Sequence, residues 1–327
     1  MIRNMIYSLI LPIVLLLAGC SHSSLRPAEN DEKEGISVMR LSVHGSSLVN
    51  SSGEKVVLQG VSYGWHNWWP RFYNENTVSE FRGVWNCSVL RAAIGVEEPG
   101  GYLQNPAKAF ECAYKIADAA IENQMYVIID WHTHKLQTEA AVGFFKKAAE
   151  RYKGIPNVLY EIYNEPVNDS WVEVKMYAET VISTIRAIDK DAVILVGSPH
   201  WDQDIHLAAD NPIQGYENIM YTLHFYANTH RADLRERAEY AINKGLPLFV
   251  SECAAMDADG NGEINKAEWA LWREWLNRHA ISWVAWSVTD KDETCSMLRP
   301  EAASTGKWID NDLKNWGLFV KEQLCEK

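Results

Sequence analysis

The chain has 327 residues, of which 47% are hydrophobic and 23% are charged, and its formal net charge is −12 at pH 7. This length allows one large domain or two small ones, and the composition is typical of a globular protein. The acidic balance argues against a nucleic-acid partner, because proteins that bind nucleic acids present a basic face.

The first twenty residues have the pattern of a lipoprotein signal peptide. An apolar run from Ile6 to Ala18 is too short and too close to the N-terminus to form a stable membrane-spanning helix. It ends in Leu17-Ala18-Gly19-Cys20, which resembles a bacterial lipobox, where the cysteine is lipidated and becomes the first residue of the mature protein. We therefore expect residues 1–19 to be a signal peptide and Cys20 to anchor an exported protein at the outer membrane or cell surface. An ordinary secretory signal is the alternative.

Residues 20–36 are rich in Ser, Glu and Asp and have no apolar period, which predicts a flexible tether. Residues 37–327 are predicted to form one domain. Its five cysteines include no CxxC pair, so a zinc site is not expected. Export permits disulfides, but the sequence does not pair the five cysteines, which are Cys87, Cys112, Cys253, Cys295 and Cys325.

Short alternating runs on either side of Gly45 predict an N-terminal β-hairpin cap. Beyond it, continuous apolar runs alternate with amphipathic helical stretches, as expected when strands are buried on both faces. Eight such units over about 270 residues predict an α/β fold, the (β/α)8 TIM barrel. An open doubly wound sheet is the alternative, but it would place a glycine-rich phosphate loop after the first strand, where this chain has Ser62-Tyr63-Gly64-Trp65-His66. The predicted strands are 57–62, 88–94, 126–130, 158–163, 192–196, 219–223, 248–251 and 282–286.

Two carboxylates follow predicted strands on opposite sides of such a barrel. Glu165 follows strand four and Glu252 follows strand seven, and reactive groups in (β/α)8 enzymes lie at these C-terminal strand ends. Such a pair suits cleavage of a glycosidic bond: one carboxylic acid protonates the leaving oxygen and the other carboxylate attacks the anomeric carbon. Polar groups at neighbouring strand ends can keep one carboxylate ionised. The other carboxyl, if it is more buried, has a higher pKa and stays protonated to higher pH.

The motifs around these carboxylates resemble glycoside hydrolase family 5 of clan A, and within it the bacterial endoglucanases. The resemblance rests on Asn164-Glu165-Pro166 and Ser251-Glu252 and covers about residues 41–324. Four further motifs occur in the expected order: Arg91-Ala92-Ala93, Asp130-Trp131-His132, His224-Phe225-Tyr226, and Trp286-Ser287-Val288-Thr289-Asp290-Lys291-Asp292-Glu293-Thr294.

This resemblance implies a retaining endo-β-1,4-glucanase that needs no cofactor and acts as a monomer on cellulose and soluble β-glucans. Glu165 would be the acid/base and Glu252 the nucleophile. The implied substrate-binding residues are Asn164 at the sugar 2-hydroxyl, Arg91 and Tyr226 on the nucleophile, His132 and His224 at the cleaved subsite, Trp286 beneath the glycon sugar, Lys291 and Glu293 at sugar hydroxyls, and Trp68 and Trp201 as stacking platforms. Mixed-linkage glucan, xyloglucan and mannan are alternative substrates. A non-catalytic glycan-binding lipoprotein is a further alternative, which the presence of both carboxylates opposes.

The chain departs from the family pattern after the first barrel strand. The family histidine four residues beyond Gly60 is replaced by Gly64, and His66 lies two residues further on. In an extended chain, residues two apart point the same way, so His66 could fill the missing imidazole's place. Cys253 follows the nucleophile where an aromatic residue is common, and we interpret it as a buried structural thiol. Structural roles are also expected for the remaining candidates, which are Glu161, His134, His200, His206, His230, His279, Trp269, Trp272 and Trp275.

Residues 257–268 fit the twelve-residue calcium-loop pattern, with oxygen ligands at positions one, three, five and nine, Gly at six and Glu at twelve. The side-chain ligands would be Asp257, Asp259, Asn261 and Glu268. A strand precedes this segment where an EF-hand would have a helix. The alternative is therefore a glycine-permitted turn that leads into a helix and binds no metal.

Overall fold

The computed structural model describes residues 38–326, and within them the chain forms a closed barrel of eight parallel strands preceded by a two-stranded antiparallel hairpin. The hairpin strands are β1 (Ser42–His44) and β2 (Ser47–Val49), and Gly45 adopts a positive φ of 59° in the turn between them. The predicted signal peptide, Cys20 and the whole of the predicted tether lie outside the described residues. The (β/α)8 barrel with a hairpin cap is confirmed.

All eight predicted barrel strands are present, and each pairs in parallel with its neighbours, β10 closing the barrel against β3. Six of them end later than predicted, and the extensions to His132, Tyr226 and Ala254 place several predicted site residues within strands. The strands are β3 (Gln59–Tyr63), β4 (Val89–Gly95), β5 (Tyr126–His132), β6 (Val158–Glu161), β7 (Ile194–Val196), β8 (Ile219–Tyr226), β9 (Leu248–Ala254) and β10 (Trp283–Val288).

The helices surround the barrel and begin at residues suited to capping. Asn105 caps α2 through the backbone N–H of Lys108, and Ser170 forms a capping box with Glu173 at the start of α4. The described helices are α1 (Glu75–Gly83), α2 (Pro106–Glu122), α3 (Thr138–Tyr152), α4 (Trp171–Arg186), α5 (Pro199–Asp202), α6 (Ile205–Asp210), α7 (Ala232–Asn243), α8 (Lys266–His279) and α9 (Asn315–Cys325). None of these helices combines the length and hydropathy that crossing a membrane requires.

The barrel interior changes from apolar to charged along its axis. At the N-terminal end of the strands, Leu41 and Leu48 of the hairpin region pack against apolar barrel residues such as Leu58, Val89 and Tyr126. At the opposite end the buried interior residues are polar or charged, namely Arg91, Asp130, Glu161, Thr222, Ser251 and Glu252. The hairpin therefore covers the apolar end of the barrel. The charged end lies at the C-terminal ends of the strands, where (β/α)8 enzymes have their active sites.

A second and larger core lies between the strands and the surrounding helices. The tryptophans of α8 at positions 269, 272 and 275 belong to it, as expected from their helical spacing. Four of the five described cysteines are buried, and all five are free. Cys253 is fully buried and its thiol donates to the Val284 carbonyl at 3.3 Å, which agrees with a structural role.

Candidate active site

Arg91 forms the floor of the site at the charged end of the barrel. Its guanidinium, fully buried on β4, contacts both oxygens of Glu161 at 2.8 and 3.0 Å. It also donates to Glu252 Oε2 at 3.1 Å and to Asn164 Oδ1 at 2.6 Å. Burial alone would lower the pKa of Arg91, but the surrounding carboxylates of Asp130, Glu161 and Glu252 raise it well above its ordinary value. Arg91 is therefore a fixed cation that aligns Glu161 of β6, Asn164 just after it and Glu252 of β9.

Glu252 lies within β9 and both of its oxygens are held. Tyr226 at the end of β8 donates to Oε1 at 2.8 Å, and Arg91 donates to Oε2 at 3.1 Å. Burial and the negative charge of Glu165 raise the pKa of Glu252, against the lowering effects of His224, Arg91 and Tyr226. The carboxylate is fixed in orientation by these donors and faces the barrel mouth.

Glu165 follows β6, and each of its oxygens contacts an imidazole. His224 Nδ1 lies 2.9 Å from Oε1, and His134 Nε2 lies 3.1 Å from Oε2. Burial raises the pKa of Glu165, but the hydrogen bonds from the two imidazoles outweigh burial and lower the pKa to about 2. With these hydrogen bonds in place Glu165 is ionised, and Glu252 has the higher pKa of the two carboxyls. If Glu165 is the general acid, its pKa is expected to be the higher one, so the observed order is reversed.

The two carboxylates are close enough for a direct displacement. Oxygens of Glu165 and Glu252 and a ring nitrogen of His224 all lie within 4.8 Å of one another. Retaining glycosidases separate their carboxyl groups by about 5–5.5 Å, whereas inverting enzymes need about 6.5–9.5 Å to admit a water. Among residues 38–326 this is also the one group with the spacing of metal ligands. Arg91, Tyr226 and the imidazoles already bind its oxygens, so the group is built for hydrogen bonding rather than for a cation.

On the side away from Glu165, His224 contacts Asp202, a residue that the sequence analysis did not identify. Its Nε2 lies 2.9 Å from Ser251 Oγ and 3.3 Å from Asp202 Oδ2. Burial would lower the pKa of His224, but Asp202 and the neighbouring carboxylates raise it well above its ordinary value. Asp202 is itself fully buried and accepts hydrogen bonds from the Ser198 backbone at 2.6 Å and from Thr222. The available signal was its position, six residues beyond the end of β7, beside Trp201.

The short element α5 is not a regular right-handed helix but a strained turn, which ends at Asp202 and presents Trp201 to the cleft. His200, Trp201 and Asp202 have φ values of 58°, 53° and 59°, and each left-handed residue other than glycine costs about 1–2 kcal/mol. The turn is held by the buried Asp202 carboxylate and by the backbone N–H of Trp201, which donates to the Pro166 carbonyl at 3.0 Å. The Trp201 side chain is 40% exposed and lines the cleft on one side of Glu165 and Glu252.

The other side of the two carboxylates is a wall of aromatic rings. Trp286 stacks on His132 with a centroid distance of 5.2 Å and an interplanar angle of 1°, and Trp65 stacks on Trp68 at 4.8 Å. Lys291 forms an ion pair with Glu293 along the same wall. Trp68 and Trp201 therefore lie on opposite sides of the carboxylate pair, as expected for platforms at the two ends of a cleft.

His132 ends β5 and is a neutral member of this wall. Its Nδ1 lies 2.7 Å from Asp130 Oδ2, which fixes the ring. Burial and the charge of Arg91 lower the pKa of His132 well below its ordinary value. The ring is therefore an uncharged hydrogen-bonding group beside Trp286.

Two expectations for histidines are wrong. His66 does not reach the cleft: it is fully buried, and its Nδ1 accepts from the Gly95 backbone at 3.0 Å. Strand β3 ends at Tyr63 and a turn begins at His66, so the two-residue alternation of a strand does not extend to His66, and Trp65 lies beside His132 instead. His134, which we expected to be structural, contacts Glu165. The signal for it was its position two residues beyond His132 at the end of β5.

Residues 257–268 form a turn leading into α8, as in the alternative to calcium binding. Gly260 and Gly262 have φ values of 85° and 81°, and Asn265 caps the helix. The predicted carboxylate ligands have other partners: Asp257 accepts from Asn228, Asp259 accepts from the Asn261 backbone, and Glu268 pairs with Arg235 at 2.6 Å. Among the described residues these carboxylates do not form a group with metal-ligand spacing. The segment contributes Asp259 to the cleft wall.

Comparison with known proteins agrees with this geometry. The model of the cellulase family (glycosyl hydrolase family 5) matches residues 49–292. Endoglucanase Z of Dickeya dadantii (strain 3937) is 41% identical over 311 residues, covering 92% of this chain and 72% of that protein. An endoglucanase of Clostridium saccharobutylicum is 42% identical over 295 residues, covering 87% of this chain and 65% of that protein. The solved catalytic domain of Thermobifida fusca endoglucanase Cel5A in complex with cellotetraose is similar with a TM-score of 0.83 and 29% identity, covering 88% of this chain and 97% of that one.

Proposed function

This chain belongs to the cellulase family, glycosyl hydrolase family 5, as an endo-β-1,4-glucanase, and we propose that it acts by double displacement with Glu252 as nucleophile and Glu165 as acid/base. The observation that carries the proposal is the approach of the two carboxylates to within 4.8 Å, each oriented by its own donors. This separation suits attack by a carboxylate and leaves too little room for the water of an inverting mechanism.

In the first step Glu252 attacks the anomeric carbon and the bond to the leaving sugar breaks. Arg91 and Tyr226 aim the attacking carboxylate, while a proton delivered through Glu165 goes to the departing oxygen. In the second step Glu165 takes a proton from water, whose oxygen attacks the same carbon and releases Glu252. Two inversions give net retention, and the enzyme recovers both of its protonation states.

Asn164 is suited to bind the sugar beside the reacting carbon. Arg91 fixes its Oδ1 at 2.6 Å, and its Nδ2 is buried with no hydrogen-bond partner among the described residues. A buried amide without a partner is costly, so a substrate hydroxyl that accepts its hydrogen bond binds favourably. This geometry supports the 2-hydroxyl of the glycon sugar as the partner of Asn164.

We propose internal cleavage of cellulose and soluble β-1,4-glucans, because the cleft extends on both sides of the carboxylates, to Trp68 and to Trp201. The relative from Thermobifida fusca is bound to cellotetraose, which supports a glucan substrate here.

A panel of soluble glucans and mannans tests the substrate. We expect β-1,4-glucan to lose viscosity before many reducing ends form, and kcat/KM to exceed that for mannan by about tenfold or more, because the axial 2-hydroxyl of mannose misses Asn164. Chromatography of the products should give oligosaccharides of several lengths. Release of a single product from chain ends, or faster cleavage of mannan, would contradict this specificity.

We further propose that the mature protein is a membrane-anchored lipoprotein, on the basis of the Leu17-Ala18-Gly19-Cys20 motif. Replacing Cys20 with Ser should move the protein from the membrane fraction to the soluble fraction, measured by fractionation and immunoblotting. A single acyl chain anchors only marginally, so we expect the full modification with several chains. A wild-type protein found wholly soluble, with an unmodified N-terminus downstream of Cys20, would exclude the anchor.

A further inference from the structure

The two imidazoles on Glu165 differ in their surroundings. His224 is buried and fixed by Ser251 and Asp202. The side chain of His134 is 32% exposed and lies on the cleft wall beside Trp65, with Nε2 3.1 Å from Glu165 Oε2. His134 is therefore the imidazole that solvent and substrate can both reach.

The position of His134 is fixed by the loop that carries it. Its backbone N–H donates to Glu97 Oε1 at 3.0 Å, and the Thr133 hydroxyl donates to Glu97 Oε2 at 2.7 Å. The backbone N–H of Glu165 in turn donates to the Thr133 carbonyl at 3.2 Å. These bonds connect the loops after β4, β5 and β6, so the backbone around both residues holds His134 in contact with Glu165.

The charges that face His134 favour its protonated form. Burial would lower the pKa of His134, but the hydrogen bond and charge of Glu165 and the charges of Glu97 and Glu252 raise it above its ordinary value. The titratable groups around the ring are Glu165, Glu97, Glu252, His132 and, across Glu165, His224. Of the two nearby imidazoles, His132 has a lowered pKa and adds no charge, whereas His224 is cationic but lies on the far oxygen of Glu165.

We propose that His134 and Glu165 share one proton, which rests on His134 in the free enzyme and passes to Glu165 when substrate binds. Substrate covers the exposed ring and removes the water that stabilises the separated charges, which favours the neutral form of both groups. Glu165 Oε2 then bears the proton, and it goes to the leaving oxygen as the glycosidic bond breaks. The water of the second step returns one proton to the pair. This role of His134, as a positioning residue for the acid's proton, rests on the proposed function of Glu165.

The sharing has a definite consequence for pH dependence. When two groups share one proton, the pair loses it with a macroscopic pKa that is no lower than the pKa of either group with its partner deprotonated. This is because both singly protonated forms contribute to the equilibrium. The pair therefore keeps the acid's proton to higher pH than Glu165 could by itself. Replacing His134 with a side chain that keeps the hydrogen bond to Glu165 but binds no proton leaves one site for the proton and moves its loss toward lower pH.

The first test compares pH profiles of kcat/KM on soluble β-1,4-glucan for the wild type and His134→Gln. Gln keeps an N–H donor near Glu165 but holds no proton. We expect the basic limb to move to lower pH by roughly one unit or more, a tenfold change in proton affinity, with the rate on the acidic side kept within about tenfold. The matched control is His44→Gln, on the exposed hairpin at the opposite end of the barrel, which should keep the wild-type profile. An unmoved basic limb, or an equal loss of rate at every pH, would overturn the proposal.

The second test needs no catalysis and does not depend on the stability of the His134 variant. Histidine side-chain NMR titrations would be compared between the wild type and Glu165→Gln. We expect the pKa of His134 to fall by roughly one unit or more when the carboxylate is neutralised. An unchanged His134 titration would overturn the sharing. A fall in Glu165→Gln together with unimpaired hydrolysis of polymer would instead refute the acid/base role of Glu165 and leave the contact intact.

Discussion

Glu252→Gln and Glu165→Gln should both abolish the hydrolysis of polymeric glucan but should differ on aryl glycosides with a good leaving group. Such a leaving group departs without protonation, so Glu165→Gln should still form the glycosyl-enzyme and then stall. On polymer, which needs an acid, its rate should fall by at least the roughly 10²–10⁴-fold that general acid catalysis contributes. Glu252→Gln lacks the attacking oxygen that Arg91 and Tyr226 aim at the anomeric carbon, so it should form no intermediate.

Mass spectrometry after incubation with a fluorinated activated glycoside distinguishes the two carboxylates. The label should appear on Glu252 in the wild type and in Glu165→Gln, and should be absent from Glu252→Gln. Glu263→Gln, on the exposed turn before α8, serves as a matched control and should be labelled like the wild type. A label on any other residue would refute the assignment of the nucleophile.

Arg91→Met should cost both stability and activity, because Arg91 is the cation among the buried carboxylates of Asp130, Glu161 and Glu252. Removing one partner of a buried ion pair leaves uncompensated charge and typically costs about 3–5 kcal/mol. The loss should appear as a lower midpoint in urea unfolding. Because Arg91 lowers the pKa of Glu252, its removal should also move the acidic limb of the pH profile to higher pH.

The matched control for this prediction is Arg278→Met. Arg278 pairs with Glu274 on the exposed face of α8, where both side chains are more than half exposed. Ion pairs of this kind contribute little, so its unfolding midpoint should stay close to that of the wild type. Equal unfolding midpoints for Arg91→Met and Arg278→Met would show that Arg91 does not hold the charged end of the barrel together.

The sequence was enough to predict the barrel and the two carboxylates. Continuous apolar runs between amphipathic stretches are a local pattern, and eight of them close into a barrel whatever the details of packing. The pairing of Glu165 with Glu252 could be predicted because the C-terminal ends of all strands in such a barrel lie at one rim. The hairpin was equally local, since it depends on a short turn at Gly45.

Contacts between segments distant along the chain could not be predicted from the sequence. Asp202 reaches His224 only because three residues in left-handed conformations turn the chain after β7 back toward β8. His66 missed the cleft because the backbone turns after Tyr63, and local spacing contains no sign of that turn.

By itself, then, the sequence determined the fold and the chemical type of the site, since periodicity and strand order are properties of the chain. The tertiary structure alone decided how protons are distributed in the site. The pKa of Glu165 falls to about 2 because His134 and His224 lie within hydrogen-bonding distance of its two oxygens. Those distances are set by loops from different strands, and electrostatic interactions depend on separation in space rather than along the chain.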